Sequence, residues 1–266
     1  VLYRGWRNFL TWGYFPSGAI FEGEAKCQLG MDGIFAFARR GTRENLSGHP
    51  HLRAYATRFL PHSVTPTEGG KGPFGRAPFL KFDLLGSIGS VHPVDMLGLK
   101  YAFPDDKAVD WCFRKQVGED YELVPDRPDG YFNPIIFWAI YASDFDPAND
   151  DPARLGLGNT FFCGERSVMM TRSGWGPDAM MLALHTRGAT GGHPYADRNA
   201  IVVCGAGRAW STPSAYDGFQ NCQNSTVVVD GRPQDLWIPG RMVDFVDNEK
   251  ATFAVGESKY AWDWHW

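Results

Sequence analysis

The chain has 266 residues, of which 44% are apolar and 21% charged, the balance of a folded protein with a sizeable core. Its net charge is −4 and its Lys and Arg residues are scattered, so it lacks the basic footprint of a nucleic-acid-binding protein. No apolar run reaches the ~18 residues that a membrane-spanning helix requires. We therefore expect a soluble globular protein.

Five helices are predicted in the first half of the chain, at residues 24–40, 52–60, 82–89, 106–116 and 132–142. The first ends at Arg40 before Gly41, and the second ends before Pro61. Residues 66–78 are rich in Gly and Pro and have no periodicity, which predicts a long loop.

The second half reads as successive antiparallel strands. Short runs rich in Val, Met and Leu alternate with turn residues, and the predicted strand segments are 161–174, 178–188, 199–210, 224–232 and 251–257. The polar, Pro-containing segment 144–158 separates the two halves. The predicted fold class is therefore α+β with two domains, a helical one at 1–156 and an antiparallel β domain at 157–266.

One stretch, 191–207, carries a high density of functional groups. It places His193, Tyr195, Asp197, Arg198 and Asn199 within seven residues, directly before an apolar run. Such a density at the start of a strand predicts a functional site. The GAG at the end of the stretch lacks both the GxGxxG spacing and a following helix, so it does not predict a dinucleotide site.

Cysteines and aromatic residues say less about function. The five cysteines are Cys27, Cys112, Cys163, Cys204 and Cys222, an odd number without a CxxC pair or zinc-finger spacing, which argues against a full disulfide framework. Aromatic residues make up 15% of the chain. Rings beside polar groups suit a sugar-binding cleft, although we expect most of them to fill the core.

Three segments in order resemble motifs of the heparinase II/III-like polysaccharide lyases, which include alginate lyases and dermatan sulfate epimerases. FEGEAKCQLGMDGIFAFAR (21–39) resembles the family's E-G-x-x-Y helix. RSGWGPDAMMLALHTRGATGGHPYADRNAIVVCGAGRAW (172–210) resembles R-S-G-W followed by G-H-x-H-A-D-x-N, and NSTVVVDGRPQ (224–234) resembles H-N-T-x-x-V-D-G. The resemblance implies the C-terminal part of an incomplete (α/α) toroid, followed by the start of an antiparallel β-sandwich, and a chain that is one piece of a larger lyase.

The departures from the family pattern concern its catalytic and metal positions. Lys26 stands where the family has its catalytic tyrosine. The three positions that hold zinc in many relatives are Tyr195, Pro213 and Asn224 here. Pro has no ligand atom and Asn is a poor zinc ligand, so we expect neither a family-type zinc ion nor another cofactor.

The resemblance implies β-elimination of a uronic-acid-containing glycan, in which a base removes the C5 proton, other groups neutralise the carboxylate and an acid protonates the leaving oxygen. His193 matches a histidine implicated in proton transfer. Lys26 is a candidate base if its pKa is lowered, a carboxylate-binding cation, or a solvated helix residue. Tyr195 either replaces the missing tyrosine or packs against the loop. We assign these three residues to catalysis.

Four further residues are candidates for substrate binding, each with a structural alternative. The guanidinium of Arg198 suits a carboxylate, but Arg198 and Asn199 belong to a motif that also ties the loop to the sheet. Glu22 either lines the cleft or pairs with Lys26 on a helix. Trp175 is either a sugar platform or a plug beneath the sheet.

Two alternatives to a lyase remain open: a uronyl C5 epimerase, and a non-catalytic glycan-binding relative with a degenerate site. The expected partners are an acidic polysaccharide and the remaining segments of the same lyase polypeptide. Neither nucleic acid nor a membrane span is expected, and a homo-oligomer stays open. The family resemblance implies a secreted or periplasmic location.

Overall fold

The computed structural model describes residues 2–21, 48–67, 71–72, 75–76, 79–80, 88–89, 99–100, 102–117, 152–187, 196–211 and 225–262. The predicted helices 24–40 and 132–142 lie outside these residues. A helix that the sequence did not predict, α1, spans Leu2–Trp12, and Leu10 on it is buried. None of the described helices has the length and hydropathy of a transmembrane span.

The second predicted helix forms but does not stop before Pro61. Helix α2 spans residues 50–63, with α-helical turns at Pro50–Ala54 and Leu60–Ser63 around a π-helical segment at Tyr55–Phe59. The Leu60 amide donates to the Tyr55 carbonyl in the wider π pattern. This wider turn immediately precedes Pro61, where a regular helix would lose a hydrogen bond and meet the proline ring, so the helix continues.

The predicted helix at 106–116 is confirmed. Helix α3 spans Lys107–Val117, and the Asp106 carboxylate accepts hydrogen bonds from the amides of Ala108 and Val109 at its N-terminus. A buried ion pair of 2.5 Å joins Lys100 to Asp110 on this helix. Lys100 Nζ also donates to the Pro104 carbonyl at 2.7 Å, which holds the chain before α3 against the helix.

Short antiparallel pairs occupy two regions predicted otherwise. Strand β1 (Lys71–Gly72) pairs with β2 (Gly75–Arg76) inside the segment predicted as a loop without secondary structure. Strand β3 (Phe79–Leu80) pairs with β4 (Ile88–Gly89), so the end of the predicted helix 82–89 is extended. Pairing with the buried β3 overrides the local helical pattern there.

The β domain contains a five-stranded antiparallel sheet in sequential order. Its strands are β5 (Thr160–Cys163), β6 (Val168–Arg172), β7 (Met180–His185), β8 (Ala200–Gly205) and β9 (Arg208–Ser211). In β7 the side chains of Met181, Ala183 and His185 are buried and the intervening ones are more exposed, so one face of the sheet faces the core. The tight turn between β8 and β9 uses positive φ at Ala206 and Gly207.

A second antiparallel pair follows. Strand β10 (Arg241–Asp247) pairs with β11 (Thr252–Glu257), with a bulge between Met242 and Asp244. The predicted strand 251–257 is confirmed, whereas β10 was not predicted. The predicted strand 224–232 is wrong for 225–232, which forms turns with positive φ at Ser225 and Asp230 and a single bridge between Val229 and Arg232.

The helices and the sheet share one buried core. Its cluster joins Leu52, Phe59 and Cys112 of the helices to Phe161 and Met181 of the sheet. Although the sequence pattern changes near 157, the described residues on the two sides of that point therefore pack together. The fold consists of a few helices packed on antiparallel sheets.

Candidate functional site

The three predicted catalytic residues, Lys26, His193 and Tyr195, lie outside the described residues, as does Glu22. The replaced zinc positions Pro213 and Asn224 also lie outside them. What the structure describes is the framework from which the segments 22–47 and 188–195 depart. That framework can be built from Phe21 on one side and from Arg187 and Ala196 on the other.

The two segments begin beside each other. Arg187, the last described residue before 188–195, lies with its guanidinium carbon 5.8 Å from the centre of the Phe21 ring and 5.9 Å from that of Phe15. Its Nη1 also donates to the Glu165 carbonyl at 2.5 Å. Partial burial, with the positive charge of Arg166 adding to it, lowers the pKa of Arg187. Arg187 thus packs against the residue after which the segment containing Lys26 begins.

A buried polar network lies below these departure points. Arg166 Nε donates to the Ile20 carbonyl at 2.8 Å, and its Nη1 lies 2.6 Å from His185 Nε2. On the other side of the ring, His185 Nδ1 lies 3.5 Å from Asp197 Oδ2. Since a guanidinium can only donate, His185 Nε2 accepts and Nδ1 carries the proton that faces Asp197. Burial lowers the pKa of His185 to about 4, with Arg166 acting in the same direction.

Asp197, which follows the segment 188–195, therefore contacts the end of β7, the strand that precedes this segment. His185 ends β7, and Asp197 lies just before β8. Both side chains are buried. This contact joins the described residues on the two sides of the segment that contains His193 and Tyr195.

Arg198 is fully buried, and its described contacts favour the structural alternative. Its Nε and Nη2 donate to the backbone carbonyls of Ile238 and Leu236, at 2.8 and 2.5 Å. The Gln234 side chain accepts from the Arg198 amide and donates to its carbonyl. A guanidinium in these contacts ties the start of β8 to the segment before β10, and its burial does not support the prediction that it binds substrate.

Asn199 also has a structural environment. It adopts a positive φ of 60° and donates from Nδ2 to the Ser258 hydroxyl at 2.8 Å. Its Oδ1 is buried without a described hydrogen bond, beside Gly256. These contacts favour a role in fixing the turn into β8 over the predicted role in substrate binding.

Trp175 combines features of a plug and of a platform. Its ring packs edge-on against His62 and Trp111, and the guanidinium of Arg172 lies 3.9 Å from its centre. The ring is only partly buried and lines a cavity of about 480 Å³. This cavity lies at the end of the sheet where β6 ends and β7 begins, whereas Arg187 follows the other end of β7.

Sequence reasoning missed four residues that organise these sites: Arg166, His185, Arg172 and Arg187. His185 has no local signal in the sequence because its partners, Arg166 and Asp197, lie 19 and 12 residues away. Of the four, Arg172 carried a signal, its place in the RSGW motif beside Trp175. Among the residues that the structure describes, no group of three or more His, Cys, Asp or Glu side chains is arranged to hold a metal ion.

Comparison with known proteins identifies the fold. No family model and no curated protein matches the sequence. Among solved structures, heparinase III matches with a TM-score of 0.61 and 12% identity, over 97% of this chain and 38% of the heparinase chain. The heparan sulfate lyase HepC from Pedobacter heparinus matches with a TM-score of 0.56 and 12% identity, over 94% of this chain and 36% of HepC.

The chain therefore has a heparinase-like polysaccharide lyase fold, as its motifs predicted. It spans little more than a third of the length of these structures. At 12% identity the likeness shows the fold alone.

Proposed function

We propose that this chain is part of a polysaccharide lyase that cleaves a uronic-acid-containing glycan by β-elimination. The observation that carries the proposal is the contact between Arg187 and Phe21, within a heparinase-like fold. It brings together the starting points of the segments that contain the candidate catalytic residues. The remaining structural proposal is that the chain forms the end of an (α/α) toroid and the start of a β-sandwich.

Covalent geometry limits how far the three candidates can lie from the described residues that flank them. A chain spans at most about 3.6 Å per residue, so the Cα of Lys26 lies within about 18 Å of that of Phe21. By the same limit, the Cα of His193 lies within about 11 Å of that of Ala196, and Tyr195 directly precedes Ala196. These limits are compatible with His193 and Lys26 acting on one substrate, and the contact of Asp197 with His185 supports this by holding residues after His193 against β7.

The chemistry divides among the residues of these two segments. His193 or Lys26 removes the C5 proton, and a cationic Lys26 can instead neutralise the uronate carboxylate. Tyr195 offers a phenol that can protonate the leaving oxygen. A lysine base needs a pKa well below its usual value of about 10.4, which burial or neighbouring cations would provide.

Further parts of the proposal follow from the resemblance. The reaction proceeds without a family-type zinc ion, the substrate is an acidic polysaccharide or oligosaccharide, and the protein is secreted or periplasmic. The other segments of the lyase polypeptide complete the cleft.

The test is ultraviolet absorbance of unsaturated uronate products after incubation with alginate, heparan sulfate, chondroitin, hyaluronan or glucuronan. The proposal expects the absorbance to rise with one of these substrates. In the His193→Ala variant the rate of this rise should be at least about a hundredfold lower, in line with the loss of a general acid or base. Arg208→Ala, an exposed change on β9, is the control and should leave the rate unchanged. No absorbance from the folded full-length lyase polypeptide with any of the five substrates would overturn the proposal.

A further inference from the structure

A second candidate site lies at the opposite end of β7 from Arg187, the residue after which the segment 188–195 begins. It is the cavity of about 480 Å³ between helix α3, the segment after α2 and the turn before β7. The rings of Trp111 and Trp175 and the cationic side chains of Lys115 and Arg172 line it, together with Thr65 and Asp178. We refer to it as the Trp175 cavity.

The length of strand β7 lies between this cavity and Arg187, after which the proposed catalytic segment begins. Arg172 pairs with Met181 near the start of β7, whereas Arg187 follows its end. At about 3.3 Å per residue, the stretch from Met181 to Arg187 would span roughly 20 Å if extended. The Trp175 cavity therefore lies at the far end of β7 from Arg187 and Phe21, beside which we place the proposed cleft.

Arg172 is a buried cation that lacks a described counter-ion. It is 8% exposed, and Nη2 donates to the carbonyls of His62 and Val64, each at 2.7 Å, and to the Met181 sulfur. Within the described part of the chain it forms no ion pair with a carboxylate, and its described hydrogen bonds leave Nε and Nη1 unused. Burying an unpaired charge is costly, so an anion in the cavity would be stabilised there.

The rings provide a surface for the body of a ligand. Trp111 and Trp175 pack edge-on at 5.5 Å, and Lys115 Nζ lies 5.6 Å from the centre of the Trp111 ring. The Trp175 Nε1 atom is buried and has no described hydrogen-bond acceptor. An indole donor, two cations and flat apolar rings together suit a sugar that carries a negative charge.

We propose that the Trp175 cavity is a second glycan-binding site, which takes one acidic sugar residue with its carboxylate facing Arg172 and Lys115 and its ring facing Trp175. The choice of an acidic sugar rests on the proposed function. A site at this distance from the catalytic loop would hold the polysaccharide chain during or between cleavage events. Asp178 at the cavity rim disfavours ligands with a second negative charge on that side.

The test is isothermal titration of glucuronate, with glucose as the neutral ligand, into a His193→Ala variant of the full chain. The proposal expects saturable glucuronate binding that weakens with salt, and no binding of glucose. Lys115→Gln should weaken glucuronate binding about tenfold, whereas Arg114→Gln, the same charge loss on the neighbouring residue of α3, should not. Lys115 is exposed, so this change should leave the fold intact.

Absence of glucuronate binding, equal binding of glucose, or an affinity unchanged by Lys115→Gln would overturn the second site. Because the readout is binding in a variant with its catalytic histidine removed, it is independent of turnover. Failure here together with normal lyase activity would refute the second site alone. Binding here without lyase activity would refute the proposed function and leave the second site standing.

Discussion

The guanidinium of Arg187 lies against the ring of Phe21, and this contact joins the exit from β7 to the segment that precedes Lys26. Partly buried residues make it, and both positions border the proposed cleft. The contact allows a direct test of how the two segments depend on each other. Comparing variants of Arg187 and Arg198 distinguishes a residue that positions the site from one that stabilises the fold.

Replacing Arg187 with Met should lower lyase turnover more than it lowers stability. The change removes the contacts with Phe21 and with the Glu165 carbonyl, and displacement of a catalytic group by about 1 Å can cost up to a hundredfold in rate. We expect turnover to fall about tenfold or more, with the free energy of unfolding changed by less than about 1 kcal/mol, as is usual away from the core. Steady-state kinetics and urea unfolding measure the two effects. An unchanged turnover would remove Arg187 from the positioning of the site.

Replacing Arg198 with Met should have the opposite pattern. It would remove the donors to the partly buried carbonyls of Leu236 and Ile238, and a polar group left unsatisfied away from water costs about 1–3 kcal/mol. We expect a loss of about 3 kcal/mol in the free energy of unfolding, measured by urea denaturation. The matched change at the exposed Arg208 should cost less than about 0.5 kcal/mol. Wild-type stability with reduced substrate affinity would instead support the role of Arg198 in binding.

Stability should fall as the pH decreases from about 6.5 toward 4. Burial lowers the pKa values of both His62 and His185 to about 4, while an unfolded histidine titrates near 6.5. Between these values the unfolded state binds more protons, so the stabilisation is fully present above 6.5 and is lost toward 4. At 1.36 kcal/mol per pKa unit, each histidine contributes on the order of 3 kcal/mol.

Urea unfolding at several pH values measures this slope. In a His62→Gln variant the slope between about pH 6.5 and pH 4 should be shallower, because one of the two titrating groups has been removed. Equal slopes in the wild type and the variant would show that His62 does not titrate as its burial implies.

Gly256 should not tolerate alanine, whereas Gly174 should. A Cβ at Gly256 would overlap the Thr186 methyl group and the Asn199 side-chain oxygen, whereas a Cβ at Gly174 would meet no heavy atom within 4 Å. Overpacking of this kind typically costs about 1–3 kcal/mol. Thermal unfolding of the two variants tests the close packing of β11 on the turn into β8. Equal melting temperatures would contradict it.

Apart from Thr160, strands β5 to β8 lie within the strand segments predicted from their apolar runs, but the segment 161–174 forms two strands, β5 and β6, joined by a turn at 164–167. The valines at 227–229 have the same local composition, but they remain exposed, and the bridge described there joins Val229 to Arg232 within a turn. Composition alone does not reveal whether a run finds a pairing edge. Helix α1 was not predicted because its Gly5 and its aromatic residues lower its helix propensity. Burial of Leu10 in the core stabilises the helix instead.

The site divides in the same way. The dense polar stretch 191–207 predicted a functional site directly before a strand, and β8 does lie within this stretch. The sequence alone does not show which residues of that stretch are structural and which face a substrate. The structural partners of Arg198 are the carbonyls at 236 and 238, and that of Asp197 is His185, and none of them is adjacent in sequence. The contact of Arg187 with Phe21 and the burial of Arg172, which has no ion pair within the described part of the chain, arise from long-range packing, which a single sequence does not display.

Mass spectrometry of the products formed in heavy water from a defined uronate oligosaccharide tests the central claim most directly. The account predicts two fragments whose masses, apart from exchanged deuterium, add up to that of the parent, with an unsaturated uronate on one of them. Fragments that together gain one water would mean hydrolysis. An intact parent that gains deuterium at C5 would mean epimerisation, and either result would contradict β-elimination.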